Sequence, residues 1–314
     1  MKNVLKLEEQ YDNLLLTRTG NPAQSPLTLA LYPKEKGKRT LTRDAMEARR
    51  YQQDVEVVKN VRISMDHYHM TLRDDRRVSE AATPGQFVNL SIPRREDLLL
   101  RRPFSVAVTR PEQSVLEIVY HVVGKGTGAM ANLKPGDRVD LMGPFGKGFT
   151  IPEGENCLLL GGGCGVAPLW GLAEDLHRKG NRLVALLGFQ SADRVFGEAV
   201  FRNCGAEVLV TTDDGSYGLK GFASAHLEKV MERRLDRVYV CGPVPMLKAV
   251  FPTIRKAHVK GEVSLEERMG CGYGACLSCV VDIVKRGVLE KQRVCSEGPV
   301  FDIEEVVLNG KIDG

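Results

Sequence analysis

Cys157-Leu158-Leu159-Leu160-Gly161-Gly162-Gly163-Cys164-Gly165-Val166-Ala167-Pro168 is the stretch on which the fold turns. Its first four residues are a continuous apolar run, the pattern of a strand covered on both faces. The glycines open a loop, and a helix is expected from about Val166 to Lys179. A glycine-rich turn between a buried strand and a helix is where a dinucleotide rests in an open α/β sheet. Gly161, Gly162, Gly163 and Gly165 are therefore candidate cofactor contacts, because backbone without Cβ lets a ligand lie against it. The string is not a strict G-x-G-x-x-G fingerprint, and no acidic residue stands where that fingerprint needs one.

Downstream the same style continues. Strands are expected at Leu183–Leu187, Glu207–Thr211 and Arg237–Cys241, with helices near 192–203, 221–233 and 244–257. Strand alternating with helix predicts a doubly wound parallel sheet over residues 153–258. The last strand ends in Cys241-Gly242-Pro243, and ligands sit at strand carboxyl ends in such sheets. Cys241 is a candidate catalytic thiol beside a nicotinamide; the alternative is a small buried hydrophobe.

Upstream the period changes to two. Val55 and Val57, Met70 and Leu72, Val88 to Ile92, Phe104 to Val108, Leu116 to Val122, and Val139 with Leu141 alternate with other residues. Six such runs separated by turns such as Pro84-Gly85 and Pro135-Gly136 predict an antiparallel β-barrel over residues 51–152. Arg101-Arg102-Pro103-Phe104-Ser105 begins one strand, where an arginine fork can hold a pyrophosphate and the Ser105 hydroxyl can reach a flavin edge. Tyr120 either packs on an isoalloxazine or fills the core, and His121 reads as a polar strand residue before it reads as a catalyst. Gly124-Lys125-Gly126-Thr127-Gly128 then enters a short helix whose free amides suit an anion, so Arg102 and Thr127 can clamp one pyrophosphate.

Of eight cysteines, four crowd the C-terminal part as Cys271-x4-Cys276-x2-Cys279-x15-Cys295. The x4 and x2 gaps match plant-type [2Fe–2S] ligation, and structural zinc on the same thiolates is the alternative. Gly270, Gly272 and Gly274 let loop amides approach the sulfurs. Residues 259–314 are thus a small cluster domain, with a hairpin expected across 279–294.

Basic and acidic residues number 44 and 40, a net charge of +4, which lacks the strongly basic character of a nucleic-acid binder. The longest uncharged apolar stretch, 157–173, holds five glycines and a proline, unlike the roughly 20 apolar residues of a membrane span. The N-terminus lacks the apolar core of a secretory signal, and the cysteine pattern suits a metal in a cytoplasmic protein. Residues 1–50 differ from the rest: Lys34–Arg50 carries seven basic and three acidic residues, a solvated arm or a docking arm for a partner.

The order of these motifs, R-P-F-S, glycine-rich helix start, GGGCGVAP, CGP and C-G-x-G-x-C-x-x-C…C, resembles the ferredoxin–NADP reductase superfamily. Within it, Cys271 to Cys279, Val294-Cys295 and Gly298-Pro299-Val300-Phe301 resemble the electron-transfer subunits of bacterial dihydroorotate dehydrogenases, over about residues 54–305. The resemblance implies FAD on the barrel, contacted by Arg102, Pro103, Phe104, Ser105, Val119, Tyr120, His121, Gly126 and Thr127. It implies NAD(H), with NADP(H) as the alternative, on the parallel sheet. It also implies an FMN-containing catalytic subunit as partner in a hetero-oligomer, with hydride exchange near Ser105 and Cys241 and single electrons leaving through the cluster. His121 stands where the family has arginine, and the arm 1–50 is an addition to the family pattern. Related reductase subunits serve sulfite reductases, hydrogenases and bifurcating transhydrogenases; a zinc-bearing regulatory subunit is the reading from another class. Ser191 and Arg194, after the second parallel strand, either hold a 2′-phosphate or begin the next helix.

Overall fold

The computed structural model describes residues 51–92 and 97–308. The two readings of the arm 1–50 fall outside these residues.

Strands β1 (Tyr51–Arg62), β2 (His67–Arg73), β3 (Phe87–Ser91), β4 (Arg102–Arg110), β5 (Val115–His121) and β6 (Arg138–Phe145) close into a barrel in the order β1-β2-β5-β4-β3-β6. All pairs are antiparallel, and β1 meets β6 with Val55 opposite Val139. The inward residues are those the alternation marks: Val55, Val57, Met70, Leu72, Val88, Leu90, Val106, Leu116, Ile118, Val139 and Leu141 form one buried core. Each such side chain contributes about 1.5–3 kcal/mol on burial, and closure leaves no edge to pair with another chain. Helices α1 (Arg77–Ala81) and α2 (Lys125–Met130) interrupt the barrel strands.

The second layer system has β7 (Asn156–Gly162), β8 (Arg182–Phe189), β9 (Glu207–Thr212), β10 (Leu219–Lys220), β11 (Arg237–Cys241) and β12 (Lys260–Ser264) as parallel strands. Between them run α3 (Leu169–Arg178), α4 (Glu198–Asn203), α5 (Ala223–Met231) and α6 (Val244–Lys256). Leu158, Leu160, Val238 and Val240 share a core with α5 and α6, while Leu159 and Tyr239 point the other way. The expected helix over 192–203 is a 3-10 turn at Ala192–Arg194 followed by α4, because Gly197 with φ +77° sits between them.

Beyond these come β13 (Val280–Lys285), β14 (Val288–Arg293), β15 (Val300–Asp302) and β16 (Val306–Val307). The hairpin β13–β14 turns through Arg286 and Gly287, both at positive φ, the geometry a two-residue hairpin loop requires. The parallel sheet itself runs past residue 258. Its order is β10-β9-β8-β7-β11-β12-β15, so β12 is a fifth major strand and β15 adds to its edge antiparallel. Lys260, Gly261 and Glu262 make β12 too polar to show as a buried run.

Barrel and sheet are locked together through α3. A Cβ on Gly171 would lie 2.8 Å from the Ala107 carbonyl of β4, so only glycine allows this approach. Beside it Arg110 grips Glu174 with both terminal guanidinium nitrogens, at 2.7 and 2.5 Å. Among the described residues no helix is long and apolar enough to cross a membrane.

Candidate functional site

The chain leaves β7 toward β8 and β9, then returns to β11 on the other side of β7. That reversal opens a crevice at the carboxyl ends of β7 and β11, the place where doubly wound sheets take their ligands. A cavity of about 660 Å³ lies there, bordered by Gly162, Gly163, Cys164, Gly165 and Gly242. A Cβ on Gly165 would stand 2.5 Å from the Cys241 carbonyl oxygen, so glycine is what lets the β7 loop close against β11. Gly161 does not border the cavity: its α-carbon packs on Val166, where a Cβ would come within 2.9 Å. Cys241 is 1% exposed and is absent from the cavity wall. Burial, then the nearby Glu266 and Cys164, push its thiol well up, so it is a protonated neighbour of the crevice rather than a thiolate.

The opposite wall comes from the barrel. His67 and His121 line it, stacked with centroids 4.8 Å apart and 14° between planes. Asp66 Oδ2 accepts from His121 Nε2 at 2.8 Å and from Arg194 Nη1, which reaches over from the α/β side. His67 Nδ1 lies 2.9 Å from both Asp66 Oδ1 and Ser64 Oγ. Burial holds His67 down to about 4, so it is neutral at ordinary pH. Burial opposes the charge on Asp66, but the His121 hydrogen bond and the surrounding cations outweigh it and keep Asp66 ionised. Sequence reasoning marked His121 and Arg194 separately and missed Asp66 and His67, which sit at a turn without a motif. Glu266 also lines the cavity, as an exposed residue at its border.

Arg102 and the start of α2 are brought together. Arg102 lies so close over Gly126 that a Cβ there would collide with its guanidinium. The Thr127 hydroxyl accepts from the Val123 and Gly124 amides at 3.0 and 3.3 Å, tying the helix start. Pro103 and Ser105 lie half-buried on β4, opposite Asn89 and Phe87 of β3. Phe104 and Tyr120 turn into the barrel core, 5.9 Å apart, and the Tyr120 hydroxyl donates to Asn60 Oδ1 at 2.9 Å. Val119 is buried, its carbonyl 3.8 Å from Cys164 Sγ. Of the two readings open for Tyr120, the structure gives the core.

The four cysteines gather in two pairs. Cys271 N donates to Cys276 Sγ at 3.3 Å, and Cys276 N to Cys271 Sγ at 3.4 Å. Tyr273 N and Ala275 N also donate to Cys271 Sγ, at 3.5 and 3.3 Å. Burial opposes ionisation of Cys271, but these amides prevail and bring it down to about 6. Cys295 is pushed up to about 12 by burial and then by the adjacent Cys279. Among the described residues no three ligand-type side chains converge on one ion. Two thiols on each side suit two bridged irons better than a single tetrahedral zinc.

A model of the iron-sulfur cluster binding domain of dihydroorotate dehydrogenase B matches residues 266–307, and one of the oxidoreductase FAD-binding domain matches residues 54–149. The dihydroorotate dehydrogenase B (NAD(+)) electron transfer subunit of Fusobacterium nucleatum subsp. nucleatum is 40% identical over 260 residues, 81% of this chain and 98% of its own. That of Shouchella clausii is 41% identical over 263 residues, 83% of this chain and all of its own. The chain belongs to the dihydroorotate dehydrogenase B electron transfer subunit family. A solved chain of an NADH-dependent reduced ferredoxin-NADP oxidoreductase, studied for flavin-based electron bifurcation, superposes with a TM-score of 0.74 at 34% identity. The alignment covers 81% of this chain and 90% of that one.

The groups named by the two family models fit the residues present. The absence of a Cβ at position 126 lets the Arg102 guanidinium, whose Nη1 donates to the Leu98 and Leu100 carbonyls, lie against the start of α2, a cation placed where a pyrophosphate needs one. The thiol pairs, with amides already aimed at Cys271, are the donor set of a binuclear iron–sulfur centre.

Proposed function

We propose that this chain is the electron-transfer subunit of a dihydroorotate dehydrogenase complex, carrying electrons between NAD(H) and an FMN-containing catalytic subunit. One observation carries the reading: a switch-point cavity of about 660 Å³ and a paired four-cysteine site occur in one chain, with the barrel contacting both. When bound, FAD converts hydride transfer into single-electron transfer and a [2Fe–2S] cluster carries single electrons. The protein supplies binding, orientation and electrostatics.

Gly162, Gly163 and Gly165 admit the dinucleotide backbone, and Gly161 and Cys241 hold the loop and strand behind it. Arg102, Gly126 and Thr127 hold the flavin pyrophosphate; Pro103, Ser105 and His121 border the flavin, and Phe104, Val119 and Tyr120 brace it from the barrel. Cys271, Cys276, Cys279 and Cys295 ligate the cluster. No general acid or base is needed for this chemistry. By role the chain divides into the barrel near 51–152, the α/β part from 153 through β12, and the cluster part after it. We place the complex in the cytoplasm, on the four-thiol site, which a reducing compartment keeps free for a metal. The 34% likeness to an NADH-dependent reduced ferredoxin-NADP oxidoreductase favours a second reading, a subunit of a bifurcating complex.

The test is anaerobic purification with the native partner. A paramagnetic [2Fe–2S] signal on reduction, bound FAD and dihydroorotate-dependent reduction of NAD(+) are expected. Zinc without acid-labile sulfide would end the proposal, and ferredoxin reduction without dihydroorotate oxidation would favour the second reading.

A further inference from the structure

Asn89 is an amide buried to 1% exposure on the outer face of the barrel. Its neighbours Val88 and Leu90 point inward, so Asn89 points out, and it is covered by the cluster loop. A buried amide is costly unless it is hydrogen-bonded. Asn89 Nδ2 donates to the Gly272 carbonyl at 3.4 Å, across 183 positions of sequence. The fit is tight from both sides. Gly272 has φ +73°, and any Cβ there would collide with the Asn89 amide. On β3 the register against β6 shifts between Phe87 and Asn89, a bulge that re-aims the side chain at this point.

The peptide unit that Asn89 touches has a second partner. Its carbonyl belongs to Gly272 and its N–H belongs to Tyr273, which donates to Cys271 Sγ at 3.5 Å. In a trans peptide the two groups point opposite ways. Hydrogen bonds in such a chain polarise one another, so a donor on the oxygen strengthens the N–H as a donor. Amides aimed at cluster sulfurs favour the reduced, more negative centre and raise its potential. At its other end Asn89 lies opposite Pro103, in the strand that carries Arg102 and Ser105.

We propose that Asn89 is a positioning residue for electron transfer: through the Gly272–Tyr273 peptide it sets the cluster potential, and it fixes the cluster loop to the strand of the flavin site. This rests on the assignment of Cys271 as a cluster ligand. The carbonyl of Gly272 is the atom held, and the Tyr273 amide is the group that acts on the sulfur.

The experiment is an EPR-monitored redox titration of the full chain, purified anaerobically with both cofactors, alongside a visible titration of the flavin. Asn89→Leu removes the donor while keeping the branched shape, Asn89→Ala removes it at smaller volume, and Asn89→Ser leaves a hydroxyl too short to span the gap. The expected result is a cluster midpoint moved to more negative potential in each variant that holds the cluster, with the flavin midpoint unmoved. An unchanged cluster midpoint in any cluster-holding variant overturns the inference. A wild-type chain with no reduced [2Fe–2S] signal would instead overturn the functional reading beneath it.

Discussion

Arg293 Nη1 donates to the carbonyl oxygen of Gly274 at 2.6 Å. The same guanidinium grips Glu297, with Nε at 2.8 Å from Oε2, so its fork is fixed before it meets the loop. Gly274 has φ +95° and stands between Tyr273 and Ala275, whose amides face Cys271. Asn89 and Arg293 thus hold the carbonyls at 272 and 274 from two sides.

Arg293→Ala frees the Gly274 carbonyl and leaves Glu297 with only the Ser296 hydroxyl and the backbone N–H of position 293. Cluster retention is expected to fall about tenfold, the usual range for removing a group that orients metal ligands. Iron and acid-labile sulfide per chain, measured after a fixed exposure to chelator, check it. Arg293→Lys keeps the charge but loses the fork and is expected to lie between; wild-type retention in Arg293→Ala would show the clasp to be idle.

Gly165 and Gly163 differ in what a methyl group would meet. At 165 it presses on the Cys241 carbonyl, 2.5 Å away; at 163 nothing lies within 4 Å. Gly165→Ala is expected to destabilise the fold by about 1–3 kcal/mol through overpacking. Calorimetry should register this as a lower Tm. Gly163→Ala carries only the strain of φ +53°, about 1–2 kcal/mol, and places its methyl beside the cavity. A KM for NADH raised on the order of tenfold, equivalent to 1.4 kcal/mol, is expected there. Equal Tm losses with unchanged KM would remove Gly163 from the nucleotide site.

The barrel was legible because its pleat writes a period of two into the chain, and Val55, Met70, Leu116 and Val139 all keep it. The cysteine spacing and the glycine string were legible because ligation and close approach restrict residue type at fixed offsets. What escaped was non-local. Asp66 meets Arg194 across 128 positions and Asn89 meets Gly272 across 183, and neither pair leaves a pattern within any window of sequence. β12 escaped because its polar residues hide a strand that its neighbour β11 makes obvious in space. Tyr120 could be read two ways because a residue lining a barrel and a residue lining a flavin are chemically alike.

NADH is expected to be preferred over NADPH. Ser191 Oγ is bonded to Asp193 at 2.5 Å, and Arg194 is committed to Asp66, so neither side chain offers its head to a 2′-phosphate. Asp66→Ala releases Arg194 into the cavity it lines. The ratio of kcat/KM for NADPH to that for NADH should then rise about tenfold, since a freed guanidinium is well suited to phosphate. Steady-state kinetics with both nucleotides decide it. An unchanged ratio would mean that Arg194 does not reach the ribose.

His67 gives the fold an acid sensitivity with a defined window. Burial holds it near 4, whereas the unfolded chain protonates it near 6.5. Above 6.5 neither state carries the proton and the contribution is intact. As pH falls from 6.5 toward 4 the unfolded state gains a proton that the folded state refuses, and stability drops by up to about 3 kcal/mol. Asp66 titrates below its usual value, beneath this window, and does not mask the effect. Tm measured at steps between pH 7.5 and 4.5 should fall by about 2–4 °C for each kcal/mol lost in a domain of 150–250 residues. His67→Gln cannot take up the proton in either state, so its Tm profile should be flatter across the same interval. Parallel profiles for the two proteins would assign the acid sensitivity to another group.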